Sequence, residues 1–293
     1  MSRLSVLKTY KLFIDGQFPR TESGRYVELK NKKGGTIANV SLASRKDVRN
    51  CVTAARAAFS GWSTKAAYNR GQILYRMAEI LEGRRTQFME ELVVQGNDKK
   101  SATDEVQLSI DRLLYYAGWC DKYQQVFSSV NPVASSHFNF SVPEPTGVVT
   151  VIAPTDSGLI GLVSVFAPIL AGGNTCVILA SEKFPLSSIT FAEVLVTADL
   201  PKGVVNIITG TSGELHTHLS SHMDVNAFVY CNGDKTQLKT VAENCSLNVK
   251  RFFRWQKNWK EEQSQNPYLI MDLQEIKTTW HPIEDIGIGG ANY

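Results

Sequence analysis

The sequence predicts an α/β fold in which a buried parallel β-sheet is covered by helices. In residues 146–258, short β-branched runs such as VVTVIAP, TCVILAS, VVNIITG and NAFVYC alternate with segments of helix length. Strands that alternate with helices form βαβ units, and continuous apolar strands are typical of sheets covered on both faces. The 293 residues, 43% of them hydrophobic, can bury one large core or two modest ones.

A small β-arm is predicted at the start of the chain. The segment LFIDGQF places Asp15 and Gly16 between two apolar pairs. Asp-Gly is typical of a tight hairpin turn, because its central residues need positive φ. The arm and the helices that follow it are expected to occupy residues 10–145.

Three amphipathic helices are predicted after the arm. The first begins at Ser44, which forms a capping pair with Asp47, and the third is expected to be capped by Ser101 and Asp104. Apolar residues recur at helical spacing in each: Val48, Val52, Ala55 and Phe59; Ile73, Leu74, Met77, Ile80 and Leu81; Val106, Ile110, Leu113, Leu114 and Ala117. Three such faces need a common surface to cover.

The tail, residues 263–293, follows a polar stretch and is expected to contain one strand. Within YLIMDLQEIKTTWHP, Leu269, Met271 and Leu273 lie on alternate positions. This alternation predicts a strand over residues 268–280 with one apolar face. That face needs a sheet or a partner.

Charge and composition exclude several classes of protein. The 31 basic and 28 acidic residues nearly cancel to +3, so the net charge does not favour nucleic acid or an anionic membrane. The uncharged stretch 157–181 is interrupted by Pro168 and a Gly-Gly-Asn turn, so no transmembrane helix is predicted. The five cysteines form no CxxC, which indicates reduced, intracellular usage. We expect a cytoplasmic protein, with a mitochondrial presequence as the alternative.

Several motifs follow one another in a specific order: LFIDGQF, DVRNCVTAARAAFSGWS, NRGQILYRMAEILE, YYAGWCDKY, EPTGVVTVIAP, LAGGNTCVILASEKFPLS, LPKGVVNIITG and HMDVNAFVYCNG. From about Leu12 to Lys257, this order resembles the cofactor-binding half of the aldehyde dehydrogenase superfamily. A narrower resemblance is to the truncated, non-catalytic second repeat of the sixteenth aldehyde dehydrogenase family, whose ending is similar to IKTTWHP. The resemblance implies a Rossmann-type NAD-binding domain over residues 1–262, with the catalytic domain missing.

The resemblance also implies that the catalytic positions are altered. Asp156 replaces the family's oxyanion-hole Asn, and a carboxylate there would repel an oxyanion. Trp255 replaces the general-base Glu, and an indole N–H can only donate. The nucleophilic Cys of the family lies beyond this strand, and no cysteine follows Cys245 in the sequence. We therefore predict no catalytic residues, only vestigial positions, and no aldehyde oxidation or esterase activity.

The cofactor groove is predicted to be degenerate. In the family, a Lys and a Glu hold the adenine-side ribose. Here Leu179 takes the position of the Lys, and Glu182 keeps the Glu. Asn232 and Gly233 replace the Gly and Ser of the turn that meets the pyrophosphate. We predict a cofactor site made of Glu182, Gly210, Asn232 and Gly233, with weak NAD(P) binding and no required cofactor.

Other conspicuous groups are expected to be structural. Asp156 is expected to cap a helix, and Cys231, the best remaining thiol, to be a small buried residue. Among His216, His218 and His222, too few ligands converge for zinc, so no metal site is predicted.

The stretch 250–260, KRFFRWQKNWK, interleaves cations with aromatics, a pattern that suits single-stranded nucleic acid. Because the net charge is small, we do not expect a nucleic-acid partner.

The predicted function is that of a pseudoenzyme that acts through protein–protein interaction. In the resembled family, the missing half-chain covers one edge of the nucleotide domain, so this edge needs the tail or a partner. The expected partner is an aldehyde dehydrogenase chain or repeat, or a second copy in a homo-oligomer, and not a membrane. The alternative is an NAD(P)-dependent aldehyde dehydrogenase subunit whose catalytic residues come from another chain or repeat.

Overall fold

The computed structural model describes residues 6–31 and 34–283. Its N-terminal part contains a small sheet of β1 (Thr9–Tyr10), β2 (Tyr26–Lys30) and β3 (Thr36–Ser41). In this sheet β3 is central, parallel to β1 and antiparallel to β2.

The predicted Asp-Gly hairpin lies between β1 and β2. Asp15 and Gly16 have φ angles of 51° and 73°. Ile14 and Gln17 exchange two backbone hydrogen bonds, of 3.0 and 2.9 Å. The hairpin prediction is therefore confirmed.

Five helices follow: α1 (Arg45–Ser63), α2 (Ala67–Gly83), α3 (Arg85–Val94), α4 (Lys99–Trp119) and α5 (Tyr123–Phe127). The predicted capping box of Ser44 and Asp47 is present at α1. The predicted cap of α4 is wrong, because Asp98 accepts the backbone N–H of Ser101 and the helix begins at Lys99. The sequence did not predict α3, whose apolar residues do not collect on one face.

The centre is a five-stranded parallel sheet, as the sequence predicts. Its strands are β6 (Val148–Ile152), β7 (Thr175–Leu179), β8 (Val205–Ile208), β9 (Ala227–Tyr230) and β10 (Arg251–Arg254), in the order β10-β9-β6-β7-β8. They alternate with α6 (Leu159–Ala171), α7 (Pro185–Thr197), α8 (Ser212–Ser221) and α9 (Lys235–Ser246). Every residue of β6 to β9 is buried, which explains their continuous apolar sequence.

A third sheet contains one strand of the tail, whose residues 284–293 lie outside the described ranges. β4 (Ser129–Asn131) and β5 (His137–Pro145) pair with each other, and β11 (Gln274–Pro282) lies antiparallel to β5 along its whole length. A 3₁₀ turn, Glu262–Ser264, lies between β10 and this sheet.

The prediction of one strand over residues 268–280 is wrong in its first part. Tyr268–Met271 form a short helix, α10, and the strand begins only at Gln274. Leu269, Ile270 and Leu273 are all buried, at 3, 0 and 0% exposure. These positions share one face at helical spacing, whereas a strand would turn Ile270 away from the core.

In the described ranges, no helix is both long and apolar enough to cross a lipid bilayer. The helix α6 is entirely buried and contains Pro168. It therefore serves as a core helix of the sheet.

Candidate functional site

The candidate site is the crevice at the carboxyl ends of the parallel strands. Ligands of open α/β sheets bind at this edge, where each strand leads into a loop and then a helix. The loops after β6, β7, β8, β9 and β10 carry the predicted positions Asp156, Glu182, Gly210, Asn232 and Trp255.

The loop after β6 does not use Asp156 as a helix cap. Asp156 is exposed. The backbone N–H groups of Gly158, Leu159 and Ile160 instead donate to Oε1 of Glu105, over 3.0, 2.8 and 3.2 Å. Glu105 reaches this point from α4 and is 2% exposed. The expectation that Asp156 caps α6 is therefore wrong.

Trp255, at the position of the general base, is a structural residue. Its side chain is 4% exposed and packs in the core. Its Nε1 donates a hydrogen bond of 2.9 Å to Oδ2 of Asp272. Burial raises the pKa of Asp272, and the indole hydrogen bond opposes this rise. The indole thus connects the end of the parallel sheet to the tail.

Glu182 and Leu179 flank the crevice at the end of β7. Leu179 is 1% exposed and packs in the core. The aliphatic part of a lysine side chain at this position would therefore also be buried. Glu182 is exposed, but its Oε1 accepts the backbone N–H of Ser212 over 2.5 Å. Ser212 is the first residue of α8, so this carboxylate occupies the start of that helix.

Gly210 ends the loop after β8 and has a conformational role. Its φ is +156°, and a Cβ atom there would lie 2.9 Å from Cδ1 of Leu215. The positive φ, a conformation that other residues rarely adopt, is the main reason for a glycine here, because the end of the Leu215 side chain could move aside.

Asn232 and Gly233 form the turn after β9. Asn232 is 8% exposed; its backbone oxygen accepts a 2.8 Å hydrogen bond from Nε2 of Gln256, and its Oδ1 has no hydrogen-bond partner. A Cβ atom on Gly233 would meet nothing within 4 Å. The turn therefore does not require a glycine at position 233.

The residue after this turn, Asp234, caps α9. Its Oδ1 accepts the backbone N–H groups of Thr236 and Gln237, over 2.8 and 3.0 Å. In a dinucleotide-binding turn, these are donors that would face a phosphate. Asp234 is not among the residues predicted from the sequence, although an aspartate before a helical run is a recognisable capping signal.

Carboxylates of the chain thus occupy the starts of three helices at this edge: Glu105 at α6, Glu182 at α8 and Asp234 at α9. At α7, the backbone N–H of Leu186 donates to the amide oxygen of Gln95 over 3.0 Å. Helix N-termini attract anions through their free N–H groups and dipoles. Here those donors have internal acceptors, and a pyrophosphate would meet negative charge.

The thiols are poor nucleophiles. All five cysteines are free. Burial raises the pKa of each thiol, to about 12 for Cys120 and about 11 for Cys245, and also upward for Cys51 and Cys176. Cys231 is only partly buried, which corrects the expectation of a fully buried residue, and burial and the nearby Asp156 carboxylate raise its pKa. A thiol with such a pKa is protonated at neutral pH, and the thiolate is the reactive form.

The other conspicuous sequence features are structural where the chain is described. Within that part, no three or more His, Cys, Asp or Glu residues form a group that could hold a metal ion. In the stretch 250–260, Trp255 and Trp259 are buried, and Arg251 pairs with Glu275 through bonds of 2.8 and 2.7 Å. Neither tryptophan is available for stacking on a base.

Fold and crevice together define an α/β protein with a Rossmann-type domain of the dinucleotide-binding class. The chain belongs to the aldehyde dehydrogenase family, whose sequence model matches residues 19–272. The family prediction is confirmed.

Known relatives are longer than this chain. It is 33% identical over 258 residues to human mitochondrial 10-formyltetrahydrofolate dehydrogenase, covering 86% of this chain and 28% of the relative. It is 34% identical over 262 residues to the mouse cytosolic 10-formyltetrahydrofolate dehydrogenase, covering 86% and 28%. The NAD+ complex of an aldehyde dehydrogenase from Bacillus cereus is similar, with a TM-score of 0.80 and 26% identity over 85% of this chain and 51% of that one.

Proposed function

We propose that this chain is a non-catalytic member of the aldehyde dehydrogenase family that acts through contact with other protein. The observation that carries the proposal is the occupation of helix N-termini by Glu105, Glu182 and Asp234 at the ligand edge of the sheet. A dinucleotide needs those donors for its pyrophosphate. NAD(P) binding is accordingly weak, and the protein requires no cofactor.

The chemistry of the crevice supports the same proposal. Acyl transfer from an aldehyde needs a thiolate, an oxyanion donor and a base. The thiols present have raised pKa values, Asp156 offers a carboxylate in place of a donor, and the indole of Trp255 is bonded to Asp272. The protonated thiols are poor nucleophiles, the Asp156 carboxylate cannot donate to an oxyanion, and Trp255, at the position of the general base, cannot accept a proton.

The surface of the β11-β5-β4 sheet supports the protein-binding part of the proposal. Large apolar side chains are exposed on both faces of this sheet: Ile276 at 53% and Trp280 at 58% on one face, and Val130 at 68% and Phe138 at 45% on the other. Exposed apolar groups that lie together mark interaction surfaces. The partner is an aldehyde dehydrogenase chain or repeat, or a second copy of this chain, and the compartment is the cytoplasm.

The alternative is an NAD(P)-dependent subunit that supplies the dinucleotide platform to a catalytic chain. Similar solved structures include complexes with NAD, and Glu182 is kept and exposed. The capping role of Glu182 and Asp234 weighs against this alternative, because both carboxylates would first have to leave their helices.

Titration calorimetry tests the proposal, with NAD and NADP added to this chain and, as the control, to the Bacillus cereus aldehyde dehydrogenase. We expect heat of binding from the control and at least about a hundredfold weaker binding here, since two lost phosphate or ribose contacts are worth roughly that factor. Binding of equal strength would overturn the proposal in favour of the platform alternative.

A further inference from the structure

A second cleft lies on the small N-terminal sheet, apart from the crevice at the carboxyl ends of the parallel strands. This N-terminal cleft encloses about 300 Å³, a volume at the lower end of the range for small-molecule sites. None of the crevice positions described above lines it. The side chains that matter for its chemistry are those of Thr9, Arg20, Arg25, Tyr26, Asn39 and Ser41.

The floor of the N-terminal cleft is one face of the small sheet. Thr9 pairs with Asn39 across the strands, and Tyr26 pairs with Ser41. Because successive residues of a strand point to opposite faces, these four side chains share one face. Val40 points to the other face, where it is 3% exposed and packs in the core. The sheet thus presents its polar face to the cleft.

The segment 20–25 forms the wall of the cleft and is fixed by its own hydrogen bonds. Oγ1 of Thr21 donates to Oδ2 of Asp47 over 2.7 Å, and the backbone N–H of Gly24 donates to the Thr21 carbonyl over 3.1 Å. Gly24 has a φ of +67°, which suits a glycine at this turn. A wall that is already ordered lowers the entropic cost of binding a ligand.

Several polar groups of the cleft have no partner among the described residues. Ser41 is 3% exposed, yet its hydroxyl forms no hydrogen bond in that part of the chain. The side-chain hydroxyl of Thr9 and the side-chain amide of Asn39 form none either. A buried hydroxyl without a partner is unfavourable, so a ligand that bonds to Ser41 would gain free energy.

The unpaired charge of the cleft is positive. Arg25 is neutralised by Glu214, through contacts of 2.5 and 3.3 Å. Arg20 is exposed and forms neither an ion pair nor a hydrogen bond within the described ranges. The carboxylates of the surrounding segments all have partners: Glu22 pairs with Lys46, Glu28 with Thr36 and Asp47 with Thr21. The Arg20 guanidinium is therefore free to meet an anion.

We propose that the N-terminal cleft binds a small organic phosphate, with the phosphate on Arg20 and the organic group against the ring of Tyr26. A planar guanidinium binds two phosphate oxygens at once, and the groups of Ser41 and Asn39 can donate to the others. The Tyr26 side chain is 58% exposed and offers a flat apolar surface. This site goes beyond the proposed function and does not depend on it.

Titration of the ¹⁵N-labelled full chain with phenyl phosphate, followed through its backbone amide signals by NMR, tests the site. We expect saturable shifts at Gly24, Tyr26 and Ser41, with a dissociation constant of about 1 mM or lower. Inorganic phosphate should bind more weakly, because it has no ring to contact Tyr26. The absence of saturable shifts up to about 10 mM phenyl phosphate would overturn the site. Equal affinity for inorganic phosphate would overturn the organic part of the ligand.

Substitutions test the roles of the side chains. Arg20→Gln should weaken the binding of phenyl phosphate about tenfold or more, because its charge-assisted bonds are lost. The matched control is Arg49→Gln, which makes the same charge change at another exposed arginine, outside the cleft, and should leave binding unchanged. Equal weakening in both variants would show that only net charge matters and would overturn the site.

The hydroxyl of Ser41 allows a sharper test. Ser41→Ala should weaken the binding of phenyl phosphate about fivefold, because one hydrogen bond to the ligand is lost. Urea denaturation of the free chain should be unchanged, since the hydroxyl has no partner to lose among the described residues. Unchanged binding in Ser41→Ala would overturn the role of the buried hydroxyl.

Competition with NAD separates the N-terminal cleft from the crevice. We expect excess NAD to leave the shifts caused by phenyl phosphate unchanged, because the two sites share no residue. Displacement of phenyl phosphate by NAD would overturn a separate site. If phenyl phosphate fails to bind, the proposed function still stands, because calorimetry with NAD and NADP tests that function independently.

Discussion

The indole Nε1 of Trp255 donates a hydrogen bond to Oδ2 of Asp272 over 2.9 Å and so joins the end of β10 to the residues before β11. Arg112 of α4 also holds the segment that connects them. Arg112 donates to the backbone oxygens of Trp259 and Glu261 over 3.2 and 3.3 Å. The residues after the parallel sheet are thus packed as part of the core.

Replacement of Trp255 by Phe is expected to lower the free energy of unfolding by about 1–3 kcal/mol, because the partly buried Asp272 loses its donor. Burial raises the pKa of Asp272, so this group reduces stability as the pH rises through its folded pKa. Without the indole donor, ionised Asp272 destabilises the folded chain more strongly. The decrease in the free energy of unfolding caused by Trp255→Phe should therefore be greater at neutral pH than in acid. Urea denaturation at both pH values measures it. The double variant Trp255→Phe with Asp272→Leu should recover part of the loss; a loss independent of pH would contradict the role of this bond.

Replacement of Glu105 by Ala is expected to destabilise the chain by about 2–4 kcal/mol, because three backbone N–H groups at the start of α6 lose a charged acceptor. Asp104→Ala is the matched control, since Asp104 is the preceding residue on α4 and is exposed. Chemical denaturation should show little change for the control. Equal losses for both variants would show that Glu105 has no special capping role.

Replacement of Asp234 by Ser is expected to strengthen binding of NAD, by about fivefold to tenfold, because it removes a negative charge at α9 while a serine can still cap the helix. Adding Asn232→Gly should strengthen it further by opening the approach to the phosphates. The control is Glu243→Gln, which makes the same charge change near the other end of α9. Calorimetry distinguishes the two sites. If the control variant binds as well as Asp234→Ser, only net charge matters.

The thiols are expected to react slowly with iodoacetamide at neutral pH, since burial raises the pKa of all five. Mass spectrometry of the folded chain should find most cysteines unlabelled under conditions that label all of them in denaturant. Rapid modification that disappears in Cys231→Ser would show a reactive thiol in the crevice and would argue against a non-catalytic protein.

The features that the sequence predicts correctly depend on neighbours along the chain. The Asp15-Gly16 turn, the Ser44 cap and the alternation of buried strands with helices each follow from local spacing. The errors have long-range causes. Glu105 caps a helix far along the chain from α4, and the Leu269 segment is helical because its apolar residues meet the core. Local patterns contain no information about such partners.

The candidate site could be predicted only in part. The positions of Asp156, Glu182 and Asn232 at the ligand edge follow from the family's order of strands. The contacts of these residues could not be predicted in this way. The hydrogen bond from Ser212 to Glu182 and the one from Gln256 to the Asn232 carbonyl each join segments that are distant in sequence. The pKa of Cys231 also depends on burial, which the sequence only suggests.

Aldehyde-dependent formation of NADH by the isolated chain tests the central claim most directly. The assay uses a set of short and long aldehydes with NAD in excess, and the Bacillus cereus aldehyde dehydrogenase as the positive control. We expect no NADH above the buffer rate from this chain at any chain concentration, because the thiols of the crevice are protonated and an indole, Trp255, stands at the position of the general base. NADH formation that rises in proportion to the chain and is lost in Cys231→Ser or Asp156→Asn would contradict the claim.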